Sequence, residues 1–454
     1  MDKKETISRR KFIGASAIAA SATMVAPRHV LGGKGYTPPS EKLNIAAIGV
    51  GGQGRADINK FSLENIVAFA DVDWDRAAGT FRAYPETKQY KDYRRMFDAE
   101  KNIDAVVIAT PDHTHAVVAM EAMKRGLHVY LEKPMAKTVK EVRVLTEEAR
   151  IRGVVTQMGN QGHAEETMRL LRELLEDGAI GQVREVEAWA THGCWTEGMA
   201  LPQGSEPVPD TLDWDLWLGP AAHRPYHAEI YAPYAWRGWW DFGTGQVSNM
   251  GIHVFDPLCY ALQLSAPLSI EYSGSTFRKR VANTLEVNKE SYSRAAIVRY
   301  KFGARGNLPP LKLTWYHGGI LPERPEELAT GEPLDSSGGG AILHGDKGKI
   351  IFGSHGARGL RIIPKAKMEQ YQRPAKRYPR SVGHYDEWLE ACKGGKPTQS
   401  DFDFAGPLSE MVLLASVAMR AGEKIEWDAE QMKVTNLPAA NEFLHYEYRK
   451  GWSL

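Results

Sequence analysis

The chain has 454 residues, too many for one ordinary core, so two domains are expected. Hydrophobic residues are 43% and charged residues 25%, in the range of soluble globular proteins, and the formal net charge of +1 gives no electrostatic case for nucleic acid or an anionic membrane as partner. Three scattered cysteines, Cys194, Cys259 and Cys392, offer neither a disulfide framework nor a C-x-x-C metal spacing, and no metal site is expected.

Residues 1–33 read as an address. Ser8-Arg9-Arg10-Lys11-Phe12-Ile13 precedes a short, alanine-rich apolar run, a pattern that resembles a twin-arginine export signal. The run is too short to serve as a mature membrane anchor, and no cysteine follows it to carry a lipid. Cleavage is expected between Ala26 and Gly33, with a periplasmic destination. That route moves folded proteins, so a cofactor would travel already bound and would have to be regenerated in place.

Residues 40–160 form the expected first domain. A buried parallel strand over residues 43–48 feeds Gly49-Val50-Gly51-Gly52-Gln53-Gly54, and a helix follows over 55–61. This is the context a dinucleotide turn requires. Gly49 permits the tight turn, Gly51 lets the backbone approach the pyrophosphate, and Gly54 lets the helix pack close to the strand. The helix N-terminus presents free N–H groups to phosphate. A second strand over 66–70 ends in Asp71, where an acid would accept from ribose hydroxyls and favour NAD. Arg76 nearby could instead meet the 2′-phosphate of NADP.

Further strands are expected over 105–110, 127–131 and 154–158, with a helix over 115–125. This alternation predicts a doubly wound parallel sheet. His113 and His115 open that helix without a third ligand nearby and read as cap and packing residues. The strand over 127–131 ends in Glu132-Lys133-Pro134. The carboxyl end of a strand beside the cofactor crevice suits chemistry, and the proline restrains Lys133 to extended conformations.

The set Gly49-x-Gly51-x-x-Gly54, Asp71-Val-Asp73, Ala109-Thr-Pro-Asp-His-Thr-His115 and Gly126-Leu-His-Val-Tyr-Leu-Glu-Lys-Pro134 resembles the glucose–fructose oxidoreductase and inositol dehydrogenase (Gfo/Idh/MocA) family. The resemblance implies that Lys133 lies by the nicotinamide and the substrate hydroxyl. It implies cofactor contacts from Gly49, Gly51, Gly52, Gln53, Gly54, Asp71, Thr110, Pro111, His115, Glu132, Lys133 and Asn160. It also assigns His253 to the family histidine of an Asp-x-x-x-His pair, with Asn249 standing at the acidic position. An amide cannot stabilise an imidazolium as a carboxylate does. Asn249 is also similar to the asparagine of NAD-dependent glycosidases, which oxidise a sugar transiently without net redox change.

Residues 161–454 form the expected second domain, α/β with a largely antiparallel sheet. Strands are expected over 181–190, 294–302, 312–316 and 342–352, helices over 385–391 and 407–421, and an exposed loop over 324–340. Residues 436–454 are expected to pack back on the body. Aromatic residues crowd between Trp189 and Trp240, which suits either stacking on sugar C–H faces or plain core packing. Gln161, His163, Trp236, Arg237, Trp240, Asp241 and Asn249 are the candidates for recognising a carbohydrate substrate. Three activities remain open: a sugar or polyol dehydrogenase, an NAD-dependent glycosidase or lyase, and a non-catalytic sugar sensor. A homo-oligomer would follow from pairing of antiparallel sheet edges.

Overall fold

The structure is a computed structural model that describes residues 41–191, 195–275, 278–281, 284–334 and 338–454. The segment expected to be a twin-arginine signal and Cys194 lie outside the described residues.

In the first domain, β1 (Asn44–Ile48), α1 (Gly52–Lys60), β2 (Asn65–Ala70), α2 (Trp74–Ala83), β3 (Lys88–Tyr90) and α3 (Tyr93–Ala99) run in order. They are followed by β4 (Ala105–Ile108), α4 (Asp112–Lys124), β5 (His128–Glu132), α5 (Val139–Arg152) and β6 (Thr156–Gly159). The sheet order is β3-β2-β1-β4-β5-β6, with every pairing parallel. The central strands are apolar runs because helices cover both faces. The carboxyl ends of β1 and β4 diverge at the switch point, and the crevice for a ligand opens there. The expected strands are present, with one addition. β3 is a short edge strand of polar residues, so it carries no apolar signal.

The second domain starts with α6 (Glu166–Glu176), β7 (Val183–Ala190), α7 (Trp214–Leu218), α8 (Gly245–Asn249) and α9 (Gly251–Leu262). Next come β8 (Ser269–Gly274), β9 (Arg278–Val281), β10 (Thr284–Val287), β11 (Ala296–Phe302) and β12 (Leu311–His317). Then follow β13 (Gly339–Gly345), β14 (Gly348–Gly353), β15 (Arg358–Ile363), α10 (Lys365–Gln370), α11 (His384–Cys392), α12 (Phe402–Ala421), β16 (Ile425–Asp428) and β17 (Lys433–Val434). Nine strands form one sheet in the order β15-β14-β13-β7-β12-β11-β8-β16-β17, antiparallel except for the β7–β12 pair. The single strand expected over 342–352 is a hairpin turned at Asp346-Lys347. α12 is apolar because it is a core helix, with Leu408, Met411, Val412 and Leu414 all buried.

Two segments cross back to the first domain. α11 seats Trp388 and Tyr385 against Phe61 and Tyr130, beneath β1 and β5. The stretch after Leu444 is tied down by Tyr448, whose hydroxyl donates to Glu141, and by Arg449, which bonds Gly219 and Asp215.

Candidate active site

The glycine turn is built by exclusion. Gly49 has φ +78°, and a Cβ there would lie 2.8 Å from the Ala109 backbone. A Cβ on Gly54 would stand 1.9 Å from the Gly49 carbonyl oxygen, so only glycine lets α1 start this close to β1. α1 begins at Gly52 with no side-chain cap, leaving its first N–H groups for an anion. Asp71, at the end of β2, accepts from the N–H groups of Val50 (2.8 Å), Gly51 (3.3 Å) and Asp73 (2.9 Å). Burial raises its carboxyl to about 6, and those N–H bonds oppose the rise. Arg76 lies along the turn and places its guanidinium over the Tyr234 ring at 4.5 Å.

The turn forms one wall of a cleft enclosing about 1400 Å³, part of it open to solvent. Asp71, Thr110, Pro111, Glu132 and Lys133 continue that wall along the strand ends. The opposite wall comes from the second domain and the end of the chain: Trp217, Tyr234, Trp236, Arg237, Asn249 and Trp452. A flat, elongated ligand with a phosphate at its middle fits this arrangement. The glycine cradle and uncapped helix start offer donors to a pyrophosphate, and the acid at the ribose position offers an acceptor to its hydroxyls, which is what a dinucleotide needs.

At the inner end, Lys133 Nζ donates to the Asn249 carbonyl oxygen at 2.8 Å and to Asn249 Oδ1 at 3.0 Å. Burial lowers the Lys133 ammonium to about 8; Glu132 and Asp112 resist this and Arg237 adds to it. His115 stiffens the turn that carries Lys133, since its ring contacts the Pro134 and Thr110 carbonyls, both at 2.8 Å. Asp112 accepts from Thr244 Oγ1 at 2.7 Å, so α4 and α8 are joined beneath the cleft.

Residues 43–160 match the model described as an oxidoreductase family with an NAD-binding Rossmann fold, and residues 166–292 match that family's C-terminal alpha/beta domain. The chain belongs to the Gfo/Idh/MocA oxidoreductase family. Levoglucosan dehydrogenase of Pseudarthrobacter phenanthrenivorans is 26% identical over 32% of this chain and 39% of its own length. A glycosyl hydrolase family 109 protein of a Shewanella species is 27% identical over 57% of this chain and 59% of its own. Inositol 2-dehydrogenase of Rubrobacter xylanophilus is 28% identical over 33% and 44%. The chain thus spans less than two thirds of the length of these curated relatives. In fold it is similar to the WlbA dehydrogenase of Bordetella pertussis, solved with NADH and UDP-GlcNAcA, with TM-score 0.58, 17% identity, and coverage of 85% of this chain and 99% of that one. Levoglucosan dehydrogenase solved with NADH and levoglucosan gives TM-score 0.55 at 17% identity, with the same coverage.

Within this family fold, several expected site residues take other places. Asn160 and His163 are 0% and 1% exposed and do not line the cleft. Asn160 Nδ2 donates to Asp256 Oδ2 at 2.9 Å, His163 Nδ1 meets Asp256 Oδ1 at 2.7 Å, and Ser400 Oγ donates to Asn160 Oδ1 at 2.6 Å. Their expected contacts with cofactor and substrate are corrected to an interior network, because Asp256 and Ser400 saturate them. Asp241 pairs with Arg224 at 2.7 Å, and Trp240 packs edge-on to Tyr292 beneath Arg420. Neither lines the cleft: Asp241 is engaged in the ion pair with Arg224 and Trp240 in aromatic packing. Gln161 sits one step back, donating to Glu132 Oε1 at 2.6 Å.

His253 is also behind the cleft wall. Its ring stacks on His355 with centroids 3.9 Å apart, and burial, then the Lys133 charge, push it well below the usual histidine range. Asn249 Oδ1 engages Lys133. Sequence reasoning missed Asp112 and Trp452, and it marked Tyr234 and Trp217 only as members of the aromatic stretch between Trp189 and Trp240. Asp112 had a signal, its place in Thr-Pro-Asp-His-Thr-His, but reads as a helix cap. Trp452 comes from the far end of the chain and carries no local signal.

Proposed function

We propose that the chain oxidises a secondary hydroxyl of a sugar or polyol, using NAD held in this cleft. The observation that carries the reading is the Lys133 amine, bonded to Asn249 in the same cleft as the glycine turn. A bound nicotinamide supplies the hydride acceptor for the alcohol carbon. Lys133 supplies the base. Its ammonium is destabilised by burial, so a useful share is neutral amine near pH 7 and can take the hydroxyl proton as the carbonyl forms. Asn249 Oδ1 and its carbonyl oxygen hold Nζ in place through the transfer. His253, kept neutral, adds no charge against Lys133. Trp217 and Trp236 offer aromatic faces to sugar C–H groups, and Arg237 offers donors to hydroxyls. Asp71 supports NAD over NADP, since its carboxyl would repel a 2′-phosphate.

A second reading follows from Asn249 and from the likeness to the family 109 glycosyl hydrolase: transient oxidation and elimination of an aglycone, with no net redox change. Incubation with free sugars and with aryl glycosides, following nicotinamide absorbance and aglycone release together, separates the two. Net reduced cofactor supports the dehydrogenase; aglycone release without it supports the glycosidase. Saturable sugar binding with neither signal means a sensor and defeats both.

We also propose that Arg9-Arg10 directs export with NAD bound. The Arg9→Lys, Arg10→Lys double variant is expected to stay in the cytoplasm on fractionation; unchanged export rejects the twin-arginine route.

A further inference from the structure

Behind Lys133 lies a pair of acids. Glu132 closes β5 and is 7% exposed; Asp57, on α1, is 0% exposed. Their carboxyl groups lie close enough to act on each other. Gln53 Nε2 and the Tyr385 hydroxyl both donate to Asp57 Oδ1, each at 2.8 Å. On the other side, Gln161 donates to Glu132 Oε1, and the Lys133 N–H reaches Glu132 Oε2 at 3.3 Å. Asp57 Oδ2 is buried with no donor.

Two ionised carboxylates in contact away from water repel strongly, and one proton between them removes the repulsion. That proton also provides the O–H donor that Asp57 Oδ2 lacks. We propose that Asp57 and Glu132 share one proton in the resting protein, and that this proton keeps Glu132 uncharged behind Lys133. The charge distribution agrees. Burial raises both carboxyls, and Glu132 is raised further because the Asp57 charge adds to its burial. With the proton on Glu132, the negative charge of the pair rests on Asp57.

The consequence is for Lys133. An ionised Glu132 would stabilise the ammonium and keep the amine from acting as a base. The other charged groups facing Lys133 are Arg237, which disfavours the ammonium, and Asp112, which favours it; His253 is neutral. Around the acid pair stand Tyr130 and Tyr385, both raised by burial and so un-ionised, and His384, pushed down to about 3 by burial. The cation acting on the pair is Lys133, whose charge lowers Glu132, but burial and the Asp57 charge outweigh it.

The catalytic meaning rests on Lys133 being the base; the shared proton itself does not. The test therefore avoids substrate. The titration midpoint of Lys133 is read from the pH dependence of its acetylation by acetic anhydride, followed by mass spectrometry. Asp57→Asn removes the sharing partner, so Glu132 ionises and the midpoint rises by about one unit or more. Adding Glu132→Gln, an uncharged stand-in for the protonated acid, returns the midpoint to the wild-type position. A purely structural role would not produce this reversal. An unmoved midpoint in Asp57→Asn, or a double variant that stays high, overturns the proposal. Should Asp57→Asn fail to fold, infrared difference spectra of the wild-type protein decide. A protonated-carboxyl band at neutral pH that is lost in Glu132→Gln supports the shared proton, and its absence in the wild type rejects it.

Discussion

The chemistry turns on what touches one amine. Lys133→Ala is expected to abolish hydride transfer while dinucleotide affinity, measured by titration calorimetry, stays within about threefold of the wild-type value, or roughly 0.7 kcal/mol. Asn249→Asp puts a carboxylate where Oδ1 now accepts from Nζ at 3.0 Å. An adjacent anion stabilises the ammonium, so Lys133 titrates higher and less amine is available at pH 7. In the wild type, kcat/KM should rise with pH through about 8. In Asn249→Asp that limb should move upward by about 1–3 units. A pH–rate profile that does not move would break the link between the two residues. Lys133, Asp71 and the glycines were legible because each is defined by its neighbours in the chain. Asn160 and His163 were misread because the residues that claim them, Asp256 and Ser400, lie 93 to 240 positions away. Polar residue types at a strand end look the same whether they face a ligand or another side chain.

Elements were legible where burial shapes composition. The parallel strands are apolar on both faces, so their runs stand out; β3, at the edge with two exposed residues, does not. The hairpin of β13 and β14 reads as one strand because the apolar runs Ala341-Ile342-Leu343 and Ile350-Ile351-Phe352 lie close together in the chain, although the turn between them carries Gly345-Asp346-Lys347-Gly348. The junction of β1 with α1 makes its own prediction. Gly54→Ala places a methyl 1.9 Å from the Gly49 carbonyl oxygen, so strand and helix must separate. Chemical denaturation should show a loss of about 1–3 kcal/mol. Dinucleotide affinity should fall with it, because the helix N-terminus is displaced. A variant with wild-type stability and affinity would mean that α1 can shift freely, contrary to this geometry.

For the whole molecule, the cleft is an assembly of remote pieces. One wall is local to the first domain. The other is drawn from α7, from residues 232–237, from Asn249 and from Trp452. Trp452 reaches this position because Arg449 is fixed to Gly219 and Asp215, and because its own ring lies 4.6 Å from the Arg94 guanidinium. It stands beside Tyr93, at the end of the cleft away from Lys133. Trp452→Ala should weaken NAD binding by about tenfold, near 1.4 kcal/mol. The melting temperature without NAD should change little. Unchanged affinity would remove Trp452 from the binding surface. Sequence periodicity could announce that residues 436–454 pack on the body, but not which cavity they wall.

The span of chain between Gly49 and Trp452 bears on how the protein unfolds. A ligand that binds only the assembled native state adds its binding free energy to that state alone. A dinucleotide gripped on one side by residues 49–54 and on the other by Trp452 rewards no domain separately. It makes the two domains cooperative. The loaded protein should melt in one transition, while the empty protein is free to lose its two domains at different temperatures. The nucleotide is thus also the fastening that turns two folding units into one.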